Sequence, residues 1–145
     1  MRTTSQADLA VRLRHAIART ARRLRQEAGA ELSPTQTAAL ATIDRHGPLT
    51  PSELATREQI QRPTVTRLIA RLEEQGLVQR TRDPQDGRSS LVALAPAGRE
   101  LLARGRTRKD AYLARRLREL DAGDRATLER AATILEGLLE EEGRR

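Results

Sequence analysis

Apolar residues recur at Leu9, Leu13, Ile17, Ala21 and Leu24, while Arg12, Arg14, Arg19, Arg22, Arg23 and Arg25 occupy the other faces. That spacing predicts an amphipathic helix over about 6–28, opened by Ser5. Two further helix starts are written in side chains. Ser33-Pro34-Thr35-Gln36 and Thr50-Pro51-Ser52-Glu53 each join a hydroxyl cap, a proline where no donor is missed, and an amide or carboxylate that reaches back to the cap. They predict helices from Pro34 to about Arg45, ended by Gly47-Pro48, and over 51–58. A fourth helix starts near Arg62-Pro63 and stops at Gly76, a residue suited to a left-handed cap. The period then changes. Residues 77–82 and 89–94 read as two strands around the polar, turn-rich loop 83–88. Helices over about 96–119 and 122–141 complete the chain. The last has carboxylates of Asp121 and Asp124 at its start and a stripe of Leu128, Ala132, Leu135 and Leu139.

Three short helices followed by a hairpin predict a winged helix-turn-helix within a mostly α (α+β) fold, flanked by long helices from both chain ends. The expected division is an N-terminal dimerisation helix over 1–30, a DNA-binding domain over 31–96, and C-terminal dimerisation helices over 97–145. The end stripes can fold back on their own chain or join two copies. A symmetric homodimer buries them better.

Composition narrows the function. The chain has 145 residues, a formal net charge of +7 and no cysteine, and all but one of its 27 cationic side chains are arginine. The missing cysteines exclude disulfides, thiolate metal sites and thiol redox sensing. A positive chain attracts polyanions, yet Tyr112 is the one aromatic residue, which argues against single-strand binding by base stacking. Arg2 precedes no apolar leader and no stretch suits a membrane span, so a soluble cytoplasmic protein that engages no membrane is expected. Residues 1–28 carry seven arginines against two acids and residues 91–120 eight cations against three, whereas residues 57–90 carry seven against five. Those basic end helices read either as solvated faces or as a positive surface beside nucleic acid.

Motif geometry says more than total charge. At 100° per residue, Val65, Leu68, Ile69 and Leu72 share one face of the fourth helix. Pro63, Thr66, Arg67 and Ala70 lie opposite, with Thr64 and Arg71 on a flank. Arginine can bind guanine through two hydrogen bonds, threonine can meet a base edge or thymine methyl, and Ala70 permits close approach. Gln61 and Arg62 stand at the helix start, where phosphate contacts form.

Leu32-Ser33-Pro34-Thr35-Gln36, Leu54-Ala55, Thr64-Val65-Thr66-Arg67-Leu68, Leu72-Glu73, Gly76-Leu77-Val78, Arg80 and Asp86-Gly87-Arg88 together resemble the multiple-antibiotic-resistance regulator (MarR) family. The resemblance implies a homodimeric transcription factor, usually a repressor, that binds double-stranded DNA. The reading helix, with Gln61, Arg62, Thr64, Thr66, Arg67 and Arg71, would enter the major groove. Arg88 of the wing would reach the minor groove, with Asp86 accepting a hydrogen bond from it. Leu94-Ala95-Pro96-Ala97-Gly98 departs from the family's usual Leu-Thr-x-x-Gly, so the fifth helix lacks its threonine cap.

The resemblance also implies a small-molecule effector site among the first, second and fifth helices. His15, His46 and Tyr112 are the polar or aromatic candidates nearby, but no ligand residue is assigned. No nucleophile–base pair, metal cluster or phosphate loop is evident, so neither an enzyme nor a cofactor or metal site is expected. The competing reading is a winged protein-interaction or architectural module that binds DNA without operator specificity.

Overall fold

The computed structural model describes residues 4–29 and 31–143. Arg2 and the outer ends of the predicted segments lie outside them. The element order is α1 (Gln6–Ala28), α2 (Pro34–His46), α3 (Pro51–Glu58), α4 (Arg62–Glu74), β1 (Val78–Arg82), β2 (Ser90–Leu94), α5 (Pro96–Arg118) and α6 (Ala122–Glu142). This is the expected winged helix-turn-helix with long helices at each end. The backbone separates into two compact units, Met1–Lys109 and Asp110–Arg145.

In the first unit the side-chain caps form as the sequence predicts. Ser33 Oγ accepts from the Gln36 N–H at 3.2 Å while Gln36 Oε1 accepts from the Ser33 N–H at 3.0 Å. Thr50 and Glu53 repeat the exchange at 3.1 and 3.3 Å. With these starts fixed, α2, α3 and α4 turn Leu40, Leu54, Val65, Ile69 and Leu72 into one core, joined by Val92 of β2. Gly76, at φ 72°, ends the α4 segment by the left-handed turn its type allows. The Leu77 N–H then donates to Leu72 O at 2.9 Å, which launches β1.

The hairpin pairs β1 and β2 antiparallel, with Val78 opposite Leu94 and Arg80 opposite Val92. A further pairing extends this small sheet. Leu49 and Val92 exchange backbone hydrogen bonds of 3.0 and 2.7 Å, tying the α2–α3 connection to the wing. The fifth helix compensates for its missing threonine cap through tertiary contacts. The Ala95 N–H donates to Leu77 O at 2.9 Å, and buried Gly98 passes so close to that same carbonyl oxygen that an added Cβ would collide with it. Gly98→Ala is therefore expected to cost about 1–3 kcal/mol, as other overpacking changes do. A lowered denaturation midpoint checks this, and an unchanged midpoint refutes it.

Arg108 Nη1 donates to Ala28 O at 3.1 Å, and Arg106 pairs with Asp44 at 3.1 Å, so α5 is anchored to the end of α1 and to α2. The outer part of α1 has no such cover. Leu9, Val11, Leu13 and Ile17 are 40–51% exposed.

The second unit holds the last turns of α5 and all of α6. Asp121 Oδ1 accepts from the Asp124 N–H at 2.8 Å, and Arg125 Nη1 donates to Leu120 O at 2.6 Å, closing the corner between the two helices. The Arg115 guanidinium stands 5.7 Å from the Tyr112 ring centre. Leu128, Ile134, Leu138 and Leu139 are exposed. Among the described residues no helix is long and apolar enough to cross a membrane.

Candidate nucleic-acid interface

Amphipathicity fixes which side of α4 faces outward. Val65, Ile69 and Leu72 are wholly buried and Leu68 nearly so, which turns Arg62, Thr64, Thr66, Arg67 and Arg71 into solvent. Gln61 is the N-cap residue, exposed and without a side-chain cap bond. Its side chain is left for contacts outside the helix. The Thr66 hydroxyl donates to Arg62 O at 3.0 Å while the side chain stays exposed. Arg62 itself donates to the Ser52 hydroxyl in the first turn of α3. That bond joins the opening turns of the two helices that make the helix-turn-helix.

At the wing tip the expected Asp86–Arg88 contact takes a different form. Asp86 Oδ1 accepts from the backbone N–H of Arg88 at 3.0 Å, not from its guanidinium, and Asp86 Oδ2 accepts from the Ser89 hydroxyl at 3.4 Å. A carboxylate two residues ahead of an N–H closes a local turn, an established use of aspartate in loops. Asp83 does the same for Gln85 at 2.9 Å. The wing tip is thus shaped by two carboxylates, and the Arg88 guanidinium extends from an ordered backbone. Among the described residues, Arg67, Arg71 and Arg88 make no ion pair.

Between α4 and the wing lies a polar notch of about 280 Å³. It is lined by Arg62 and Thr66 of α4, by Arg80, Arg88 and Ser90 of the hairpin, and by Ser52 of α3. Arg80 and Ser52 were not singled out as site residues from the sequence. Strand alternation pointed the other way, since Arg80 shares a face with buried Val78 and pairs with buried Val92 yet is itself exposed; the signal available was its place in the family motif.

A second pair of cavities, about 100 and 330 Å³, adjoins the α1–α2 connection and α5. They share Ala28, Gly29, Leu32, Thr37 and Lys109. Leu101 and Leu102 add apolar wall to the smaller, Arg22 and Arg25 add charge to the larger, and His15, His46 and Tyr112 line neither.

The MarR family model matches residues 32–90, the span that contains α2, α3, α4, β1 and the hairpin tip. An uncharacterized HTH-type transcriptional regulator of Mycobacterium bovis is 38% identical over 138 residues, covering 94% of this chain and 96% of that protein. A crystal structure from Pseudomonas aeruginosa is 35% identical with a TM-score of 0.85, covering 95% of this chain and 98% of its own. A MarR family protein from Bacillus stearothermophilus, 26% identical, superposes with a TM-score of 0.79 over 97% of this chain and 99% of its own. Identity that runs from the winged head through both terminal helices makes this chain a member of the MarR family, a helix-turn-helix transcriptional regulator.

Proposed function

We propose that the protein is a homodimeric repressor that recognises an inverted-repeat operator and is released from it by a small anionic effector. The observation that carries this reading is the exposed set of Arg67, Arg71 and Arg88 on one winged head, without an ion pair among the described residues, with Thr64 and Thr66 beside them. The reading assigns Gln61, Arg62, Thr64, Thr66, Arg67 and Arg71 to the major groove and its phosphates, and Arg88, ordered by Asp86, to the minor groove. Dimerisation is supported by the exposed leucines and isoleucines of α1 and α6, which a second copy would cover. An effector with a carboxylate and an apolar body suits the cavities by the α1–α2 connection. Arg22, Arg25 and Lys109 would meet its charge and Leu32, Leu101 and Leu102 its body.

Selection from random duplexes tests the central claim. The enriched site should be an inverted repeat with half-sites about one helical turn, roughly 10 bp, apart. Its affinity should fall steeply with salt, since about 6–10 phosphate contacts are expected of such a dimer. Transcription from a promoter overlapping that site should fall when protein is added. Absence of any enriched sequence overturns the operator reading and leaves an architectural module.

A further inference from the structure

The sugar-phosphate strand that separates a major groove from the adjacent minor groove must pass between whatever occupies the two. If α4 lies in one and the wing tip in the other, that strand crosses the notch between them. We propose that this notch clamps one operator phosphodiester, and that Arg80 of β1 is a further DNA-contacting residue. The proposal rests on the operator-binding reading and adds to it a phosphate site and a residue outside the reading helix and wing tip.

Three observations carry it. The notch is lined by three guanidiniums, those of Arg62, Arg80 and Arg88, and no carboxylate lines it. A phosphodiester oxygen pair is the DNA group that such donors fit. Arg80 is also held in position. Its Nε pairs with Glu73 Oε2 at 3.2 Å, which fixes the side chain along the end of α4, and its two Nη nitrogens have no partner among the described residues. Finally, hydroxyl protons are available. Ser52 accepts from Arg62 and so keeps its own proton to donate, and the Ser90 hydroxyl has no partner among the described residues. A phosphate entering the notch would gain charge-assisted bonds on two sides and charge-neutral ones on a third. It would also fix the distance between reading helix and wing along the strand.

The test uses the full chain and its selected operator, with Arg80→Ala, Arg80→Lys and Arg67→Ala compared over a salt series. Arg80→Ala should weaken all operator variants by the same factor and make the log–log salt dependence shallower by about two across a two-fold complex, one phosphate per subunit. Arg80→Lys should restore most of that slope. Single neutral methylphosphonates placed along the operator should then identify one position per half-site where the wild-type protein loses affinity and Arg80→Ala loses little more, the non-additivity expected of direct partners. Full additivity at every position, or an Arg80→Ala protein with wild-type affinity and slope, overturns the clamp. If Arg67→Ala has meanwhile lost base preference, the operator reading stands without it. Saturable binding of inorganic phosphate that needs Arg80, without methylphosphonate coupling, assigns the notch to a free anion and also overturns the proposal. A wild-type protein that selects no sequence removes the operator reading and the clamp together.

Discussion

Removal of residues 122–145 is expected to turn a dimer into a monomer and to abolish tight operator binding in the same step. The reason is the placement of apolar surface. Leu128, Ile134, Leu138 and Leu139 of α6 are 48–70% exposed, and α1 has no buried residue at all. Side chains of this size gain about 1.5–3 kcal/mol each when fully covered, so several of them suffice for a stable two-fold interface. The winged head should survive the truncation, because its core of Leu40, Leu54, Val65, Ile69, Leu72 and Val92 contains no residue of α6. Affinity would nonetheless collapse, since two linked heads exceed one by about 10²–10⁴ through effective concentration alone. Sedimentation equilibrium and operator titration on the same samples check both halves. A monomeric full-length protein that still binds a two-fold operator tightly would refute the reading.

Two arginines that a charge count treats alike should fail differently. Arg67→Ala should cost about 1–3 kcal/mol per site, doubled in a two-fold complex, and relax preference at one base position per half-site. Arg88→Ala should weaken binding most for operators with A·T-rich flanks, where the minor groove is narrow and most negative, and leave major-groove preference intact. Asp86→Ala gives the sharpest sign. Deleting an acid beside DNA should strengthen binding if bulk charge decides. Asp86, however, holds the Arg88 backbone N–H and the Ser89 hydroxyl. Its loss frees the tip and charges the ordering cost to the complex, about 1–2 kcal/mol for each residue fixed again. Weaker binding at moderate salt is the expected result, and tighter binding would show that the wing acts as charge only.

The helices were legible because their signals are local. The Ser33/Gln36 and Thr50/Glu53 boxes sit within one turn, and the Val65–Leu72 stripe needs only the helical period. The same holds for the outward face of α4, whose candidates Thr64, Thr66, Arg67 and Arg71 are exposed as the stripe requires. What stayed hidden depends on residues far apart in the chain. The Leu49–Val92 pairing involves a single residue of the α2–α3 connection, too short to show any alternation. The anchoring of α5 by Ala95 and Gly98 on Leu77, and of α1 by Arg108 on Ala28, has no sequence periodicity to announce it. Nor could composition tell that Asp86 would choose a backbone N–H over a guanidinium. The notch residue Arg80 was visible within a family motif, but its neighbours Ser52 and Ser90 come from other elements and are brought to it only by folding.

The Leu49–Val92 bonds limit how this regulator can adapt. Val92 is wholly buried in the core that also seats α4, its backbone N–H and C=O are both bonded to Leu49, and its strand is paired with β1. Swinging the wing against the reading helix would therefore break two hydrogen bonds and open the core. The tip at residues 83–88 is held differently, by local bonds within its own turns. Variation in groove width can be absorbed there. In the proposed dimer, variation in the separation of half-sites could not be absorbed there and would fall to the helices outside the head, so tolerance for flank composition and tolerance for spacing would be set by different parts of the chain.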